Sequence, residues 1–508
     1  MPPSAPVGTA PRGLAAIARR DPQRPALVCA GSRTTFAALD AAANAMAHAF
    51  AAAGTAAGDR VAVMLGNSVE LFAAWYGAAR LGALVVPVST RLTAPEAAYI
   101  VADSGAVVLV HDGAPAAAAA ASSTSAVGLV TDDPALAEGV DEPPQREYLG
   151  TPVVTMSYTS GTTGRPKGIT RAAPRPSTEA PPNPFASFWG LLPDDVHLMC
   201  GPGYHMAPAA YAQMSLNEGG TVVVMARFDA TEALRLIESE SVTTAQMVPA
   251  HFIRILEANW PAYDRSSVRK ILHAAAPCPV PVKRKIIDVF PAGAIWEYYG
   301  ASEGMTSVIS PEQWLAKPGS VGRPFPGLSV RILDEDGADL APGEVGAVYV
   351  SSFAGQRFGY HNDPDKTAQA WRDDYFTVGD MGRLDEDGYL FLADRRTDLI
   401  LSGGVNVYPA EVETALAEDP DVVDSAVFGL PDDRMGQRVH AVVELRPGTP
   451  RDADALLLRL ATRLADYKRP RTVEFVDLLP RQDNGKVRKA RLRAERMGPA
   501  TAGRPGEG

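Results

Sequence analysis

The sequence predicts an α/β fold in which a large N-terminal domain of layered sheets and helices precedes a small α+β C-terminal domain. Two observations lead to this prediction. Up to about residue 390, Val-rich segments of strand length occur among Ala- and Leu-rich helical segments, and several follow the order strand, helix, strand. That order is typical of parallel sheets buried between helices. The clearest predicted strands are at 61–65, 107–110, 222–225 and 347–350.

The second observation is a change of pattern after Leu392. A charged segment is followed by a glycine pair at 403–404, an amphipathic helix from Pro409 and strands at 426–428 and 439–445. About 100 residues is within the usual range of an independent domain. We therefore predict an N-terminal domain over 1–394, a C-terminal domain over 395–495 and a disordered Gly- and Pro-rich tail over 496–508.

The composition excludes several classes of protein. The chain has 508 residues, of which 46% are hydrophobic and 21% are charged. It is therefore too long for a single small binding module and too apolar for wholesale disorder. The 48 Lys and Arg residues against 59 Asp and Glu give a net charge of −11, which would repel nucleic acid and anionic lipid. We expect no nucleic-acid partner.

The N-terminal segment and the cysteines favour a soluble cytoplasmic protein. The apolar run at 14–18 is too short for the core of a signal peptide. The most membrane-like segment, 71–90, contains Arg80, Gly82 and Pro87, and it is predicted to be a buried helix followed by a buried strand. The cysteines are too widely spaced for a Cys-x-x-Cys site and are expected to be free thiols in a reducing compartment. They are Cys29, Cys200 and Cys278.

The sharpest motif is an eleven-residue loop at 158–168, YTSGTTGRPKG, which follows a strand-like segment at 153–156. Its glycines permit tight turns that gather backbone N–H groups, and its hydroxyls and one ammonium group are further donors suited to a polyphosphate. It lacks the G-x-x-x-x-G-K-[ST] spacing of the common P-loop. The residues predicted to bind phosphate are Thr159, Ser160, Gly161, Thr162, Thr163, Gly164 and Lys167.

This loop resembles the phosphate-binding signature of the adenylate-forming superfamily, which contains acyl-CoA synthetases, adenylation domains of nonribosomal peptide synthesis and firefly-type luciferases. The resemblance extends motif by motif, in the family's order, from about residue 12 to about residue 493. It implies a large adenylating domain that binds ATP and an acid, and a mobile small domain that carries a catalytic lysine. In the acyl-CoA synthetase branch, the acid forms acyl-AMP with release of pyrophosphate, and coenzyme A then accepts the acyl group.

Two further motifs resemble the nucleotide-binding segments of the family. In YYGASE, at 298–303, the resemblance implies that Tyr299 stacks on the adenine ring and that Gly300 and Ser302 belong to the ATP site. It also implies that Glu303 binds Mg²⁺ and takes part in catalysis. Ser302 stands where Thr is usual. Taken alone, Glu303 could instead be a helix cap. In FTVGD, at 376–380, Asp380 is expected to accept hydrogen bonds from both ribose hydroxyls.

The start and the end of the small domain also resemble family motifs. Arg395 resembles an arginine that contacts ribose, and Thr397 lies at the hinge position, where Asp or Lys is common. The loop LPRQDNGKV, at 479–487, resembles the catalytic-lysine loop. The resemblance therefore implies that Lys486 bridges the carboxylate and α-phosphate oxygens, a position suited to a compact charge on a flexible stem.

The acceptor and the acid are less closely specified. Gly403 and Gly404 match the loop that lines the pantetheine tunnel of coenzyme A in the family. An amine or a carrier protein is an alternative acceptor, and a non-standard acid is an alternative substrate. No Asp that could hold an α-ammonium group stands out, so we expect an aliphatic or aromatic acid rather than an amino acid. The predicted cofactors are ATP, Mg²⁺ and, if the protein is an acyl-CoA synthetase, coenzyme A. The residues predicted to line the acyl pocket are Phe188, Trp189, His205, Met206, Met247, Ala275 and Met305.

A luciferase-like oxidative role or a catalytically inactive binding protein of the same fold is also open, because a scaffold does not fix the reaction. A serine hydrolase is a further alternative, because GASEG at 300–304 fits the G-x-S-x-G pattern of a nucleophile elbow. Such an elbow needs a helix directly after the serine, whereas 305–309 favours a strand and is soon followed by Pro311. His361 and His440 lie downstream and could complete a triad by composition. We treat this as a remote alternative to the ligase.

Overall fold

The computed structural model describes residues 12–133, 136, 139–159, 166–173, 175–353, 356–395, 398–402, 405–432, 435–482 and 485–497. Its strands are β1 (Pro25–Cys29), β2 (Ser32–Thr35), β3 (Arg60–Met64), β4 (Leu84–Pro87), β5 (Val108–His111), β6 (Val127–Val130), β7 (Ser157–Thr159), β8 (Lys167–Thr170), β9 (Val196–Met199), β10 (Thr221–Val224), β11 (Thr244–Met247), β12 (Lys270–His273), β13 (Ile295–Ala301), β14 (Gly304–Ile309), β15 (Arg323–Pro324), β16 (Val330–Leu333), β17 (Gly346–Ser351), β18 (Gly359–Tyr360), β19 (Trp371–Arg372), β20 (Tyr375–Phe376), β21 (Asp380–Leu384), β22 (Leu390–Arg395), β23 (Ile400–Ser402), β24 (Val405–Val407), β25 (Val422–Asp432), β26 (Gly436–Leu445) and β27 (Thr472–Val476).

Helices alternate with these strands through most of the chain. They are α1 (Leu14–Arg20), α2 (Phe36–Ala52), α3 (Val69–Ala79), α4 (Ala94–Ser104), α5 (Pro115–Ser122), α6 (Pro184–Trp189), α7 (Met206–Glu218), α8 (Ala230–Ser239), α9 (Pro249–Glu257), α10 (Val280–Val289), α11 (Pro311–Ala316), α12 (Pro364–Ala370), α13 (Pro409–Ala417), α14 (Ala453–Leu460) and α15 (Lys489–Met497).

Nine strands form the main sheet, in the order β15-β14-β13-β12-β11-β9-β10-β1-β2. Neighbouring strands run parallel from β13 to β1. Their C-terminal ends therefore lie at one edge, which is where open α/β sheets bind ligands. The segments that leave this edge after β9, β12 and β13 carry His205, Ala275 and Glu303. Three distant parts of the chain that contain predicted site residues thus meet at the same edge.

A second, parallel sheet has the order β4-β3-β5-β6. Helices α2 and α3 lie in one core cluster with residues of both sheets, including Val222 of β10 and Val61 of β3. The two helices approach closely because Gly77 faces Met46, whose Cβ would lie 2.7 Å from a Cβ on that glycine. Most of α3 is buried, which explains why segment 71–90 is so apolar.

Two smaller sheets complete the N-terminal domain. One has the order β18-β8-β7, and its β7–β8 pair places Thr159 opposite Lys167 at the two ends of the phosphate loop. We call β18, β8 and β7 the phosphate-loop sheet. The other contains β19, β20, β17, β21 and β22, with β16 paired to β17, and it carries the Asp380 motif.

The C-terminal domain is a mixed sheet packed on helices. Its strand order is β24-β23-β26-β25, and β27 runs parallel to β26. Val412 and Leu416 of α13 and Leu456 and Leu460 of α14 are buried against strand residues such as Val427. This arrangement agrees with the predicted α+β unit.

The four clearest predicted strands are confirmed as β3, β5, β10 and β17, and the helix predicted from Pro409 is confirmed as α13. The predicted strand at 153–156 is wrong: this segment makes one isolated bridge, Thr155 to Val85, and the strand begins at Ser157. The predicted disordered tail at 496–508 begins too early, because Arg496 and Met497 are the last residues of helix α15, and the rest of that tail lies outside the described part of the chain. Among the described residues, every helix is too short or too polar to cross a bilayer.

Candidate active site

Glu303 lies at the tip of the β13–β14 hairpin. Ala301 pairs with Gly304, so Ser302 and Glu303 form the connecting turn. The pairing is irregular at Gly300, where a Cβ would lie 2.7 Å from the Gly304 carbonyl oxygen. A residue with a side chain at position 300 would therefore push the two strands apart. The local sequence thus explains how the turn presents a carboxylate at the ligand-binding edge of the main sheet.

The phosphate-loop sheet holds Glu303 by two contacts that the sequence did not reveal. The Tyr360 hydroxyl donates a hydrogen bond to Oε1 of Glu303 at 2.9 Å. Arg171, directly after β8, donates from Nη2 to the Ser302 carbonyl oxygen and, at 3.3 Å, to that of Glu303. Burial lowers the pKa of Arg171, and the charge of Glu303 partly offsets this effect. Both the side chain and the main chain of Glu303 are therefore fixed.

Lys167 lies in a group of charges beside this turn. Its ammonium pairs with Asp363, whose carboxylate also accepts the N–H of Lys366 and caps α12. The Lys366 ammonium lies 4.2 Å from the centre of the Tyr360 ring. Burial and the nearby Lys167 lower the pKa of Lys366, while Glu303 raises it. A polyphosphate bound here would compete with Asp363 for the Lys167 ammonium.

Most of the phosphate loop, from Ser160 to Arg165, lies outside the described residues. Its two flanks are both bound to α4: the Tyr158 hydroxyl donates to Asp103 at 2.6 Å, and the Tyr99 hydroxyl donates to the Pro166 carbonyl oxygen at 3.2 Å. Hydrogen bonds on both sides fix the points at which the chain enters and leaves the loop.

The two predicted nucleoside-binding motifs are in contact. The Tyr299 hydroxyl donates a hydrogen bond to Oδ2 of Asp380, which is buried at the start of β21. Asp380 also pairs in register with Arg395 at the end of β22. The Arg395 side chain and Thr397 lie outside the described residues. An aromatic ring and a carboxylate held side by side suit a base and its ribose, respectively.

The loop that carries Lys486 rests on the N-terminal domain. A Cβ on Gly485 would lie 3.0 Å from Cγ2 of Val248 and 3.3 Å from Cβ of Ala250. Val248 directly follows β11, so the loop packs at the ligand-binding edge of the main sheet. Within the loop, Gln482 N–H donates to the Lys486 carbonyl oxygen at 2.7 Å. Lys486 is therefore brought to the edge that carries Glu303.

Charges on α9 face the C-terminal domain next to this contact. Burial, with a further contribution from Arg254, lowers the pKa of Arg481 to about 10. Burial, with a further contribution from Glu257, raises the pKa of Glu444, while a hydrogen bond from Leu479 N–H and the charge of Arg254 oppose that shift. Charges on α9 therefore act on Arg481 and Glu444 of the C-terminal domain.

The structure places the predicted acyl-pocket residues in different surroundings. Trp189 is buried in an aromatic cluster against which Phe188 and Met305 pack. His205 and Met206 line a cavity of about 70 Å³ together with Trp75. Met247 belongs to the core cluster under α9, and Ala275 has a left-handed backbone with φ of 79°. The two residues predicted to line the coenzyme A tunnel, Gly403 and Gly404, lie outside the described residues.

The structure contradicts the hydrolase alternative. Ser302 is in an antiparallel hairpin turn, and strand β14 follows it where a nucleophile elbow needs a helix. Nε2 of His361 contacts the Asp103 carbonyl oxygen at 2.9 Å, and Nδ1 of His440 contacts the Thr472 hydroxyl at 2.7 Å. Neither pairing forms a base for Ser302.

Comparison with known proteins identifies the family of this chain. The family model described as AMP-binding enzyme matches residues 14–356, and the model for the AMP-binding enzyme C-terminal domain matches residues 411–486. The chain belongs to the AMP-binding enzyme family. Because of this membership, and because acyl-CoA ligases are among its relatives, the protein is an AMP-forming acid–thiol ligase.

Relatives of this ligase span much of its length. It is 36% identical to the fatty acid–[acyl-carrier-protein] ligase ScoC of Streptomyces coeruleorubidus, covering 94% of both chains. It is also 36% identical to a feruloyl-CoA synthase of Amycolatopsis sp, covering 94% of this chain and 96% of that protein. The crystal structure of ATP-bound MatB from Rhodopseudomonas palustris has a TM-score of 0.83 at 30% identity, covering 96% of this chain and 99% of MatB.

Proposed function

We propose that this ligase activates an apolar aliphatic or aromatic acid at the edge of the main sheet and transfers it to coenzyme A. A carboxylate oxygen attacks the α-phosphorus of ATP, and the bond to the bridging oxygen of pyrophosphate breaks. The coenzyme A sulfur then attacks the acyl carbonyl as its proton is lost, and AMP leaves. The observation that carries the proposal is that the Lys486 loop packs at the edge of the main sheet that also carries Glu303, although the two come from separate domains.

The residues divide the first step between them. Tyr299 and Asp380 hold the nucleoside. Lys167 and its neighbouring cations neutralise the phosphates, which lets an anionic carboxylate approach them. Lys486 contacts the carboxylate and α-phosphate oxygens as charge shifts towards the leaving pyrophosphate. Catalysis therefore rests on alignment and charge neutralisation, the terms that dominate phosphoryl-type transfers.

The donor set fits a Mg²⁺ ion held jointly by the protein and the nucleotide. No group of three or more His, Cys, Asp or Glu side chains able to hold a metal occurs among the described residues. A single carboxylate, Glu303, would thus be the protein ligand and the phosphates would supply most of the others, an arrangement that suits Mg²⁺. When bound, the ion would neutralise the pyrophosphate oxygens.

The domain boundary predicted at 394–395 is proposed to lie slightly later, between Arg395 and Ile400. Strand β22 ends at Arg395 and belongs to an N-terminal sheet, whereas β23 begins at Ile400 and belongs to the C-terminal sheet. A hinge here would let the small domain withdraw Lys486 before the thiol attacks. We also propose that the enzyme works in the cytoplasm, since its three cysteines are unpaired.

A carrier-protein thiol is a second candidate acceptor, because ScoC, at 36% identity, is named for that activity. The test is pyrophosphate release from ATP and Mg²⁺ with aliphatic, aromatic and amino acids. Each acid is run alone, with coenzyme A and with a phosphopantetheinylated carrier protein, and the products are identified by mass spectrometry. We expect release with one class of apolar acid and a thioester with coenzyme A. A thioester with the carrier protein alone would favour the second candidate. No release with any acid would contradict the proposal.

A further inference from the structure

The contacts of Glu303 come from one small sheet. Tyr360 lies on β18 and pairs in register with Ile169 of β8, and Arg171 directly follows β8. The same β8 begins with Lys167 at the end of the phosphate loop. The phosphate-loop sheet therefore determines both the course of that loop at its ends and the position of Glu303, which belongs to the main sheet.

Arg171 acts on the part of Glu303 that Tyr360 does not reach. The Tyr360 hydroxyl fixes one carboxylate oxygen, while the Arg171 guanidinium holds the carbonyl oxygens of Ser302 and Glu303. Without Arg171, the carboxylate could move with the whole turn, even with its bond to Tyr360 intact.

We propose that Arg171 is a positioning residue for Glu303, and that metal binding at the ATP site depends on it although it does not itself contact the metal. This inference rests on the proposed function, in which Glu303 is the metal ligand. Residues that orient metal ligands from outside the coordination sphere typically change metal affinity by about 10–100-fold when they are lost.

The test uses the linkage between metal and nucleotide. Without an acid, ATP is not consumed, so its dissociation constant can be measured by calorimetry with and without Mg²⁺. The ratio of the two constants is the coupling between metal and ATP, which holds reciprocally for both. We expect Arg171→Met to reduce this ratio about tenfold or more. A residue that only supports the fold would weaken ATP binding equally with and without Mg²⁺, and that result, or an unchanged ratio, would overturn the inference.

Two variants separate position from charge. Tyr360→Phe changes no charge and is expected to reduce the ratio in the same direction. Arg171→Lys keeps a positive charge that can still donate to a carbonyl, so it is expected to recover part of the ratio. If Arg171→Met does not fold, Arg171→Lys decides: a ratio below that of the wild type supports the inference, and an unchanged ratio overturns it. Arg235→Met is the matched control, because Arg235 is an exposed residue that pairs with Glu232 on α8.

The variant Glu303→Gln distinguishes a failure of this inference from a failure of the proposed function on which it rests. If Glu303→Gln lowers the ratio and Arg171→Met does not, the inference alone fails. If Glu303→Gln leaves the ratio unchanged, the metal assignment in the proposed function is wrong, and the inference fails with it.

Discussion

Gly485 of the C-terminal domain packs on Val248 of the N-terminal domain so closely that a Cβ on the glycine would lie 3.0 Å from Cγ2 of the valine. The glycine also has φ of 80°, in the left-handed region that residues with a Cβ rarely adopt. Both facts tie the position of the neighbouring Lys486 to the absence of a side chain at residue 485.

Gly485→Ala is therefore expected to slow acyl-AMP formation by about 10–100-fold, since a small displacement of a catalytic group has effects of that size. Conversion of supplied acyl-AMP to thioester should be less affected, because it does not need this docked position. The two half-reactions are measured separately. Gly448→Ala is the control: Gly448 also has positive φ in the same domain, at 86°, but has open space around it. Equal losses in both variants would show that backbone strain, rather than docking, is responsible.

A buried charge cluster behind the site predicts the effect of Lys283→Met on stability. The Lys283 ammonium is 2.6 Å from Oε2 of Glu297 and 2.6 Å from Nε2 of His273, and all three residues are buried. Burial raises the pKa of Glu297, and Lys283 opposes this shift. Removing the lysine leaves the carboxylate without its cation, which should lower the free energy of unfolding by about 3–5 kcal/mol.

Urea unfolding measures this change. Lys285→Met is the control, because Lys285 is exposed on the same helix, α10. The double variant Lys283→Met/Glu297→Gln should be more stable than Lys283→Met, since it buries no uncompensated charge. If the double variant is less stable than the single one, the cost does not come from the unpaired carboxylate.

Buried histidines predict a loss of stability in mild acid. Burial lowers the pKa of His197 to about 4 and that of His251 to about 3. In the unfolded chain a histidine takes up its proton near pH 6.5, so protons favour unfolding as the pH falls from there towards 4. At about pH 5.5 each residue should lower the free energy of unfolding by about 1.4 kcal/mol.

Denaturant unfolding at about pH 7.5 and pH 5.5 tests the sign and size of this effect. His251→Phe should remove the contribution of His251 to this pH dependence, because the phenyl ring takes up no proton. The phenyl ring can also stack on Phe228 as the imidazole does, at 3.9 Å between ring centres. His48→Gln, at an exposed position, is the control for replacing a histidine. A pH dependence that persists fully in His251→Phe would contradict the assignment.

The sequence predicts the residues that lie within contiguous motifs, and the structure adds those that depend on long-range pairing. Lys167, Glu303 and Asp380 each lie in a short segment whose residue types indicate a ligand. Arg171 and Tyr360 do not, because their role exists only once β8 pairs with β18 and reaches the β13–β14 turn.

The same reason limits the prediction of the acyl pocket. An apolar residue lining a ligand and one in the core look alike in sequence, and here Met247 lies in a core cluster while Met206 lines a small cavity. The wrong strand at 153–156 has a related cause. Its Val-rich pattern reflects packing and a single bridge to Val85 of β4 rather than a continuous ladder.

The most direct test of the catalytic role of Lys486 compares wild type and Lys486→Ala in acid-dependent pyrophosphate release from ATP and Mg²⁺. Lys489→Ala is the control, because Lys489 lies three residues further on and pairs with Glu413. We expect wild type and the control to release pyrophosphate with an apolar acid, and Lys486→Ala to be slower by about 10² or more, since it loses a transition-state contact. Near-normal release by Lys486→Ala would contradict the claim that docking of the C-terminal domain supplies the catalytic lysine.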